Sequence, residues 1–211
     1  MYLNPARFNA HLNNMGQQFK WRKASACPCF NPASGAAKPN CPVCLGKGRF
    51  WDAGVSCLSG VASSKVQREW QQFGVYESGD LVLAIPSDSP MYQMSQFDRA
   101  LQLNSTDRFQ HVLTRGQNDK LRLPVEKISR VFWLNAQNQI VEGGIPTLAT
   151  DGSGVLTWTA GEPLPGQQYT IEGTRYAEYF CYGMFPNDRN EHSGAQLPKR
   201  VVLRKFDLFG R

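Results

Sequence analysis

Several features are missing from this sequence, and each absence argues against a class of protein. There is no apolar run of the roughly 18 residues that a membrane-spanning helix needs, so we expect no membrane partner. The first residues lack the basic and then apolar pattern of a secretory signal, which predicts synthesis and use in a reducing cytoplasm. In that compartment, clustered cysteines are more often metal ligands than disulfides.

Motifs of catalysis are missing as well. The chain has no G-x-x-x-x-G-K-[ST] phosphate loop, no G-x-S-x-G nucleophile elbow, and no H-x-E of a zinc deaminase. Its three histidines are His11, His111 and His192, and no G-x-S-x-G serine accompanies them. We therefore predict that the protein is not an enzyme. The weakest alternative is an enzyme built on His192 with Glu191 and Asp188.

Acidic residues are absent from residues 1–51, although the whole chain has a net charge of +6. The cations of this segment are Arg7, Lys20, Arg22, Lys23, Lys38, Lys47 and Arg49. Residues 198–211 are also basic, whereas residues 52–197 carry 11 Lys/Arg against 16 Asp/Glu, a net charge of −5. Basic ends of this kind predict an acidic partner, either nucleic acid or the acidic face of another subunit.

Cysteines are concentrated in one short stretch. Four of the six lie within residues 27–44, as C-P-C followed by C-P-V-C-L-G-K-G: Cys27, Cys29, Cys41 and Cys44. The second pair has the two-residue spacing of a zinc knuckle, and Gly46 and Gly48 supply the backbone freedom that its exit needs. Four thiolates fill a tetrahedral shell, so we predict a structural Zn²⁺ site that also stabilises a segment poor in apolar residues.

Alternatives to zinc are four unbound thiols, an oxidised pair or a redox motif. A thioredoxin-type role is disfavoured because the flanking strand-and-helix unit is missing. The two remaining cysteines, Cys57 and Cys181, are isolated, and we expect them to be buried as small hydrophobic side chains.

A short helix is predicted at the start of the chain. Asn4 can cap it and Pro5 suits its first position. Phe8, Leu12, Met15 and Phe19 recur at helical spacing, and we expect this stripe to pack on the protein's own core, or otherwise on a neighbouring subunit.

The rest of the chain is predicted to be mainly β. Residues 81–85 form an apolar run that ends at Pro86, residues 128–134 and 140–141 form a hairpin, and further strands are expected at 156–158, 169–171, 176–182 and 201–206. Residues 87–107 and 185–198 are predicted to be long loops. The fold class is therefore mainly β: an antiparallel barrel or sandwich with a short N-terminal helix and a small four-cysteine zinc-binding module.

Three regions follow from this interpretation. Residues 1–23 form an N-terminal helix or arm, residues 24–54 the zinc-binding cysteine module, and residues 55–211 a β-rich, barrel-like body with long loops.

The order of these features resembles a known family. An N-terminal helix, the knuckle of Cys41 and Cys44, a β-rich body and a basic last strand (residues 197–204) together resemble structural proteins of the tailed-bacteriophage neck. These are head-completion, stopper or head-to-tail connector proteins between portal and tail. The knuckle alone also resembles half of a zinc-binding repeat of Hsp40-type chaperones, which carry several such repeats where this chain has one.

The resemblance implies a virion protein assembled in the bacterial host cytoplasm. It implies a subunit of a homo-oligomeric ring around a DNA channel, which contacts portal or adaptor and tail proteins through its long loops and termini. The alternative is a zinc-containing nucleic-acid-binding module that uses the basic segment 1–51, with base stacking on Trp21, Phe30, Phe50 and Trp51.

Four basic residues near the end of the chain are predicted assembly contacts: Lys199, Arg200, Arg204 and Lys205. Residues 201–203 could add a strand to an exposed sheet edge of a neighbouring subunit, with the polar loop 187–194 as a further contact. The alternative is an ordinary internal edge strand of the protein's own sheet, whose Lys and Arg protect it from aggregation.

Overall fold

A computed structural model of the chain describes residues 4–62, 79–150, 153–184, 191–192 and 194–206. It is mainly β, as predicted, with a closed six-stranded antiparallel barrel and one short N-terminal helix. The elements are α1 (Pro5–Met15), β1 (Gln17–Arg22), β2 (Ala24–Ala26), β3 (Arg49–Trp51), β4 (Val55–Val61), β5 (Leu81–Ile85), a 3₁₀ helix (Pro90–Gln93), β6 (Arg99–Thr114), β7 (Val125–Leu134), β8 (Ile140–Glu142), β9 (Thr147–Leu148), β10 (Leu156–Thr157), β11 (Gln168–Met184), β12 (Glu191–His192), β13 (Ala195–Gln196) and β14 (Lys199–Lys205).

Helix α1 begins and ends where the sequence provides its signals. The side chain of Asn4 accepts a hydrogen bond from the backbone N–H of Ala6 at 3.1 Å, and Pro5 is the first helical residue. The helix ends at Met15 because Gly16 adopts an extended conformation (φ −70°, ψ 151°). A Cβ at Gly16 would lie 2.6 Å from the carbonyl oxygen of Leu12, so glycine allows the strand to start directly after the helix.

The predicted helical stripe is therefore wrong in two respects. Phe19 belongs to strand β1, where it is fully buried. Phe8 and Met15 are exposed, and the buried face of the helix is formed by Asn9, which exchanges hydrogen bonds with Ser87, and by Leu12, which packs over Gly60.

The chain divides into two compact units. The barrel unit comprises residues 1–104 and 178–211, and the second unit comprises residues 105–177. In the barrel unit the strand order is β14–β5–β4–β1–β6–β11, and β11 pairs with β14 to close the ring of strands. Its interior is filled by apolar side chains that have almost no exposure, among them Phe19, Val82, Ile85, Met91, Met94, Val201 and Leu203.

The second unit contains the later part of β6, the earlier part of β11, and β7 to β10. Its sheet runs β6–β11–β7–β8, and β9 pairs with β10. The predicted hairpin of residues 128–141 is confirmed, with Leu134 opposite Ile140. Its core is Phe109, Leu113, Leu121, Ile128, Val131, Leu156, Tyr169 and Ile171.

Two loop predictions need correction. In the stretch 87–107, a 3₁₀ helix buries Met91 and strand β6 already begins at Arg99. Of the stretch 185–198, residues 185–190 and 193 lie outside the described residues, and β12 and β13 form a small hairpin.

The two strands predicted at 169–171 and 176–182 are one continuous strand, β11. Its pairing with β7 shifts register after Glu172 and after Thr174.

The described residues include no helix that is long and apolar enough to cross a membrane.

Candidate metal centre

The cysteine cluster lies in the connection between two barrel strands. Strands β1 and β4 pair antiparallel up to Trp21 and Val55, and the shorter pair β2 and β3 continues the ladder from Ala24 opposite Trp51 to Ala26 opposite Arg49. Residues 27–48 are thus the end of a long hairpin. The ladder fixes both ends of this segment, so that its two cysteine pairs meet.

The geometry of the four sulfurs is that of a metal site. The Sγ atoms of Cys27, Cys29, Cys41 and Cys44 all lie within 4.8 Å of one another. Cys27 and Cys41 are 3.7 Å apart, and Cys29 and Cys44 are 3.4 Å apart. A tetrahedral ion with metal–sulfur bonds of about 2.3 Å requires sulfurs about 3.8 Å apart. The cluster can therefore hold a metal ion with small adjustments.

The second cysteine pair is shaped by a tight knuckle. The N–H of Leu45 donates to the carbonyl of Cys41 at 2.9 Å, and the N–H of Lys47 donates to the carbonyl of Cys44 at 3.0 Å. Gly46 and Gly48 have φ of +80° and +72°, a region that glycine adopts without a steric penalty. The predicted need for glycine at both positions is confirmed.

Hydrogen bonding stabilises the thiolate form of Cys41. Backbone N–H groups of Cys44 and Val43 directed at the sulfur of Cys41 lower the pKa of that thiol to about 6. Loss of hydration raises the pKa of Cys29 to about 12. Four thiolates in so small a volume repel one another, and a bound cation is what allows all of them to ionise together.

The other two cysteines lie apart from this cluster. Cys181 is fully buried and Cys57 half-buried, and burial raises their pKa values to about 12 and about 11 respectively. All six cysteines are free thiols in this structure.

A buried carboxylate, Asp98, ties the base of the module to the barrel. Its side chain accepts hydrogen bonds from the indole N–H of Trp21 at 2.9 Å and the backbone N–H groups of Ala24 at 2.7 Å and Ser95 at 3.0 Å. Three donors compensate the loss of hydration of a fully buried carboxylate. The sequence carried no signal for this contact, because Asp98 is distant from both Trp21 and Ala24.

An arginine forms a second attachment. The guanidinium of Arg99 lies between the rings of Trp51 and Phe206, at 3.6 and 3.8 Å from their centroids, and pairs with Glu178 at 3.2 Å. Burial lowers the pKa of Arg99. Trp51 is the last residue of β3, so this stack fixes the strand that leaves the cysteine module.

The predicted assembly cations occupy different environments. Lys199 and Arg204 are buried: the ammonium of Lys199 donates to the carbonyl of Met94 at 2.9 Å, and Arg204 binds both carboxylate oxygens of Asp80 at 3.1–3.3 Å. Burial lowers the pKa of Lys199. Only Arg200 is exposed, and Lys205 is half-buried.

The predicted strand addition by residues 201–203 is wrong for this fold. Strand β14 pairs with β5 on one side and with β11 on the other, so both of its hydrogen-bonding edges are already occupied. The strand is internal, as the alternative expected, but it is not an edge strand, and Lys199 and Arg204 are buried. The expected co-contact lies partly outside the described residues, since these omit 187–190 and 193.

The three histidines are dispersed. His11 is exposed on α1, His111 lies on β6 with its ring 6.0 Å from that of Phe109, and His192 lies on β12. Asp188, the expected neighbour of His192, is outside the described residues.

Comparison with protein-family models and with curated proteins gives no match for this chain. The chemistry of the cysteine cluster is therefore inferred from its own residues.

Proposed function

We propose that the cysteine cluster binds one Zn²⁺ ion and that the ion is structural. Four sulfur donors that all lie within 4.8 Å of one another support this assignment. A shell of four cysteines leaves no position for water or substrate. The module has few apolar residues of its own, with only Ala37 and Phe50 packed against the cysteines, so the ion supplies the cross-link that a core would otherwise provide.

Metal analysis of the full chain, purified without chelator, should give about one zinc per chain, the number that one four-cysteine shell holds. Substitution with Co²⁺ should give the intense absorption of tetrahedral thiolate coordination. Iron in place of zinc, or folded protein with less than about a tenth of one equivalent of metal, would contradict the assignment.

We further propose that the protein is a non-catalytic structural subunit of a tailed-phage neck, assembled as a ring between portal and tail. The observation that carries this proposal is the exposed apolar face of α1. Phe8 is 46% exposed and Met15 is 70% exposed, and they lie seven residues apart on the same side of the helix. Large apolar side chains exposed on one face of a helix suit a surface that a partner protein covers.

The second unit provides independent support. Leu134 and Ile140, opposite each other on β7 and β8, are both exposed, and so is Leu164. The side chain of Gln167 bonds to the backbone of both Leu134 and Leu164, which holds the three residues near one another. A ring subunit needs two such surfaces, because each copy contacts a neighbour on either side.

The buried polar groups support a structural role. Asp80, Asp98, Arg99, Lys199 and Arg204 all make contacts within the barrel unit. Buried ionisable groups mark active sites most strongly when they line a cleft, whereas these stabilise strands and connections.

The assembly proposal predicts a specific effect of charge on α1. Light scattering coupled to size-exclusion chromatography should show a ring for the wild type and a monomer for the Phe8→Glu, Met15→Glu double variant. The matched control is Ala10→Glu with Asn14→Glu, two exposed positions on the polar side of the same helix, and it should still assemble. A wild type that is monomeric both alone and with portal rings would contradict the proposal.

A further inference from the structure

The sulfurs of the metal centre come from two arms of the connection. Cys27 and Cys29 follow strand β2, whereas Cys41 and Cys44 precede strand β3. Two sulfur contacts run between the arms, from Cys27 to Cys41 at 3.7 Å and from Cys29 to Cys44 at 3.4 Å. The shorter of these two contacts therefore links residues that are 15 positions apart, and not the two cysteines of one motif.

Access from water differs among the four cysteines. Cys29 is half-buried, whereas the other three are buried and at most 8% exposed. The two sequence neighbours of Cys29, Pro28 and Phe30, are exposed. A small oxidant that arrives from the solvent therefore reaches Cys29 before the other three cysteines.

The sulfur of Cys41 is held by its own turn. Backbone N–H groups of Val43 and Cys44 are directed at it, and hydrogen bonds of this kind are stronger to a thiolate than to a neutral sulfur. A disulfide between Cys41 and Cys44 would have no negative charge to accept them. The C-x-x-C spacing of the sequence favours Cys41 and Cys44 as a redox pair, whereas the structure favours Cys29 and Cys44.

We propose that a hydroperoxide oxidises Cys29 and Cys44 to a disulfide and that the metal ion leaves the centre as a result. The proposal rests on the zinc assignment for the identity of the ion, and it does not depend on ring assembly. A disulfide removes two of the four thiolates of the shell, and the two that remain hold the ion far more weakly.

The reaction is balanced by the peroxide alone. The thiolate of Cys29 attacks one peroxide oxygen, the O–O bond breaks, and the products are a sulfenic acid on Cys29 and hydroxide. The thiolate of Cys44 then attacks the sulfur of Cys29, the S–O bond breaks, and a second hydroxide leaves as the disulfide forms. The two sulfurs together lose two electrons, and the oxygens of the peroxide gain them.

The connection can accommodate the new bond. A disulfide bond is about 2.05 Å long, so the two sulfurs must approach by about 1.4 Å from their separation of 3.4 Å. Residues 27–48 contain turns and no helix or strand, so this approach breaks no strand pairing. The disulfide joins the same two arms as the ion, and it therefore keeps residues 27–48 closed after the ion has left.

The test adds hydrogen peroxide to the full-length, zinc-loaded protein in the presence of a chromogenic zinc chelator, with an untreated sample as the baseline. Alkylation of the remaining thiols, proteolysis without reductant and mass spectrometry then identify the disulfide. We expect release of about one zinc per chain together with a disulfide between Cys29 and Cys44. Reduction with dithiothreitol and addition of Zn²⁺ should restore both the thiols and the bound ion.

A first disulfide between Cys41 and Cys44 would overturn the proposal. Release of zinc without any disulfide, or a disulfide-bonded protein that keeps its zinc, would overturn it as well. Zinc content before treatment separates these failures from failure of the zinc assignment. A folded protein without zinc contradicts that assignment, and the same mapping on this protein still decides whether Cys29 pairs with Cys44.

The matched control is Cys57→Ser, which removes a half-buried thiol outside the cluster. This variant should release zinc at the wild-type rate and form the same disulfide, because the proposed oxidation begins at Cys29. Slower release would contradict the proposal by placing the first oxidation at Cys57.

Limited proteolysis of the oxidised, zinc-free protein tests whether the disulfide replaces the cross-link made by the ion. Residues 27–48 should stay resistant after oxidation and become cleavable when dithiothreitol and a chelator are added together. Cleavage within residues 27–48 directly after oxidation would show that the disulfide does not keep this segment closed, against the proposal.

Discussion

Replacement of Cys44 by serine is expected to release the metal and to unfold residues 27–48 while the barrel remains folded. Structural zinc contributes about 10–16 kcal/mol to the folding of small zinc-finger peptides, far more than the few apolar contacts of this module could replace. Cys44 is buried and its sulfur lies 3.4 Å from that of Cys29. Loss of this ligand therefore removes both the cross-link and much of the small core.

The barrel should survive because the module is attached to it by contacts that do not involve the metal. Asp98 bonds to Trp21 and Ala24, and Arg99 stacks on Trp51, all outside residues 27–48. Limited proteolysis should therefore give new cleavages in residues 27–48 and a resistant remainder.

Cys57→Ser is the matched control for this experiment. Cys57 is a half-buried cysteine on β4 whose sulfur contacts the carbonyl of Phe19, and it takes no part in the cluster. This variant should keep its metal and the wild-type pattern of proteolysis. Loss of the entire fold in Cys44→Ser would show instead that the module is part of the barrel core.

The features that could be predicted from the sequence are those in which neighbours in sequence are also neighbours in space. The metal site is one, because the spacing of Cys41 and Cys44 specifies a local turn. The hairpin of residues 128–141 is another, since a β-branched run, a turn and a second run lie next to one another. Here local preference and the final fold agree.

The features that could not be predicted depend on distant partners. The sequence predicts Arg204 as an assembly contact, because its partner in the fold, Asp80, lies 124 residues away and no local pattern connects the two. Phe19 fits the helical period of the sequence, but it belongs to a strand whose partners, Cys57 on β4 and Gln102 on β6, are distant in sequence. The division at residues 104 and 177 falls inside the long strands β6 and β11, where no linker composition marks it.

The Arg204→Leu substitution is expected to destabilise the barrel by about 3–5 kcal/mol, the usual effect of breaking a buried ion pair from one side. The side chains of Arg204 and Asp80 are 5% and 0% exposed. The guanidinium binds both carboxylate oxygens and lies 3.9 Å from the ring centroid of Tyr182. The substitution removes from the buried carboxylate of Asp80 the guanidinium that binds both of its oxygens, and this guanidinium belongs to β14, the strand that closes the barrel. Urea unfolding followed by circular dichroism measures the change.

A double-mutant cycle with Asp80→Asn tests whether the charge of Asp80 causes the loss. The double variant should recover part of the stability, because a neutral amide is less costly to bury than a carboxylate that has lost the guanidinium of Arg204. Arg130→Leu is the matched control: Arg130 pairs with Glu142 on the surface of the second unit, where water screens both charges, and its loss should change stability far less. Equal effects of Arg204→Leu and Arg130→Leu would show that the pair of Arg204 and Asp80 is not what holds β14 in the barrel. Closure would then depend on the strand pairings of β14 and on its buried apolar side chains.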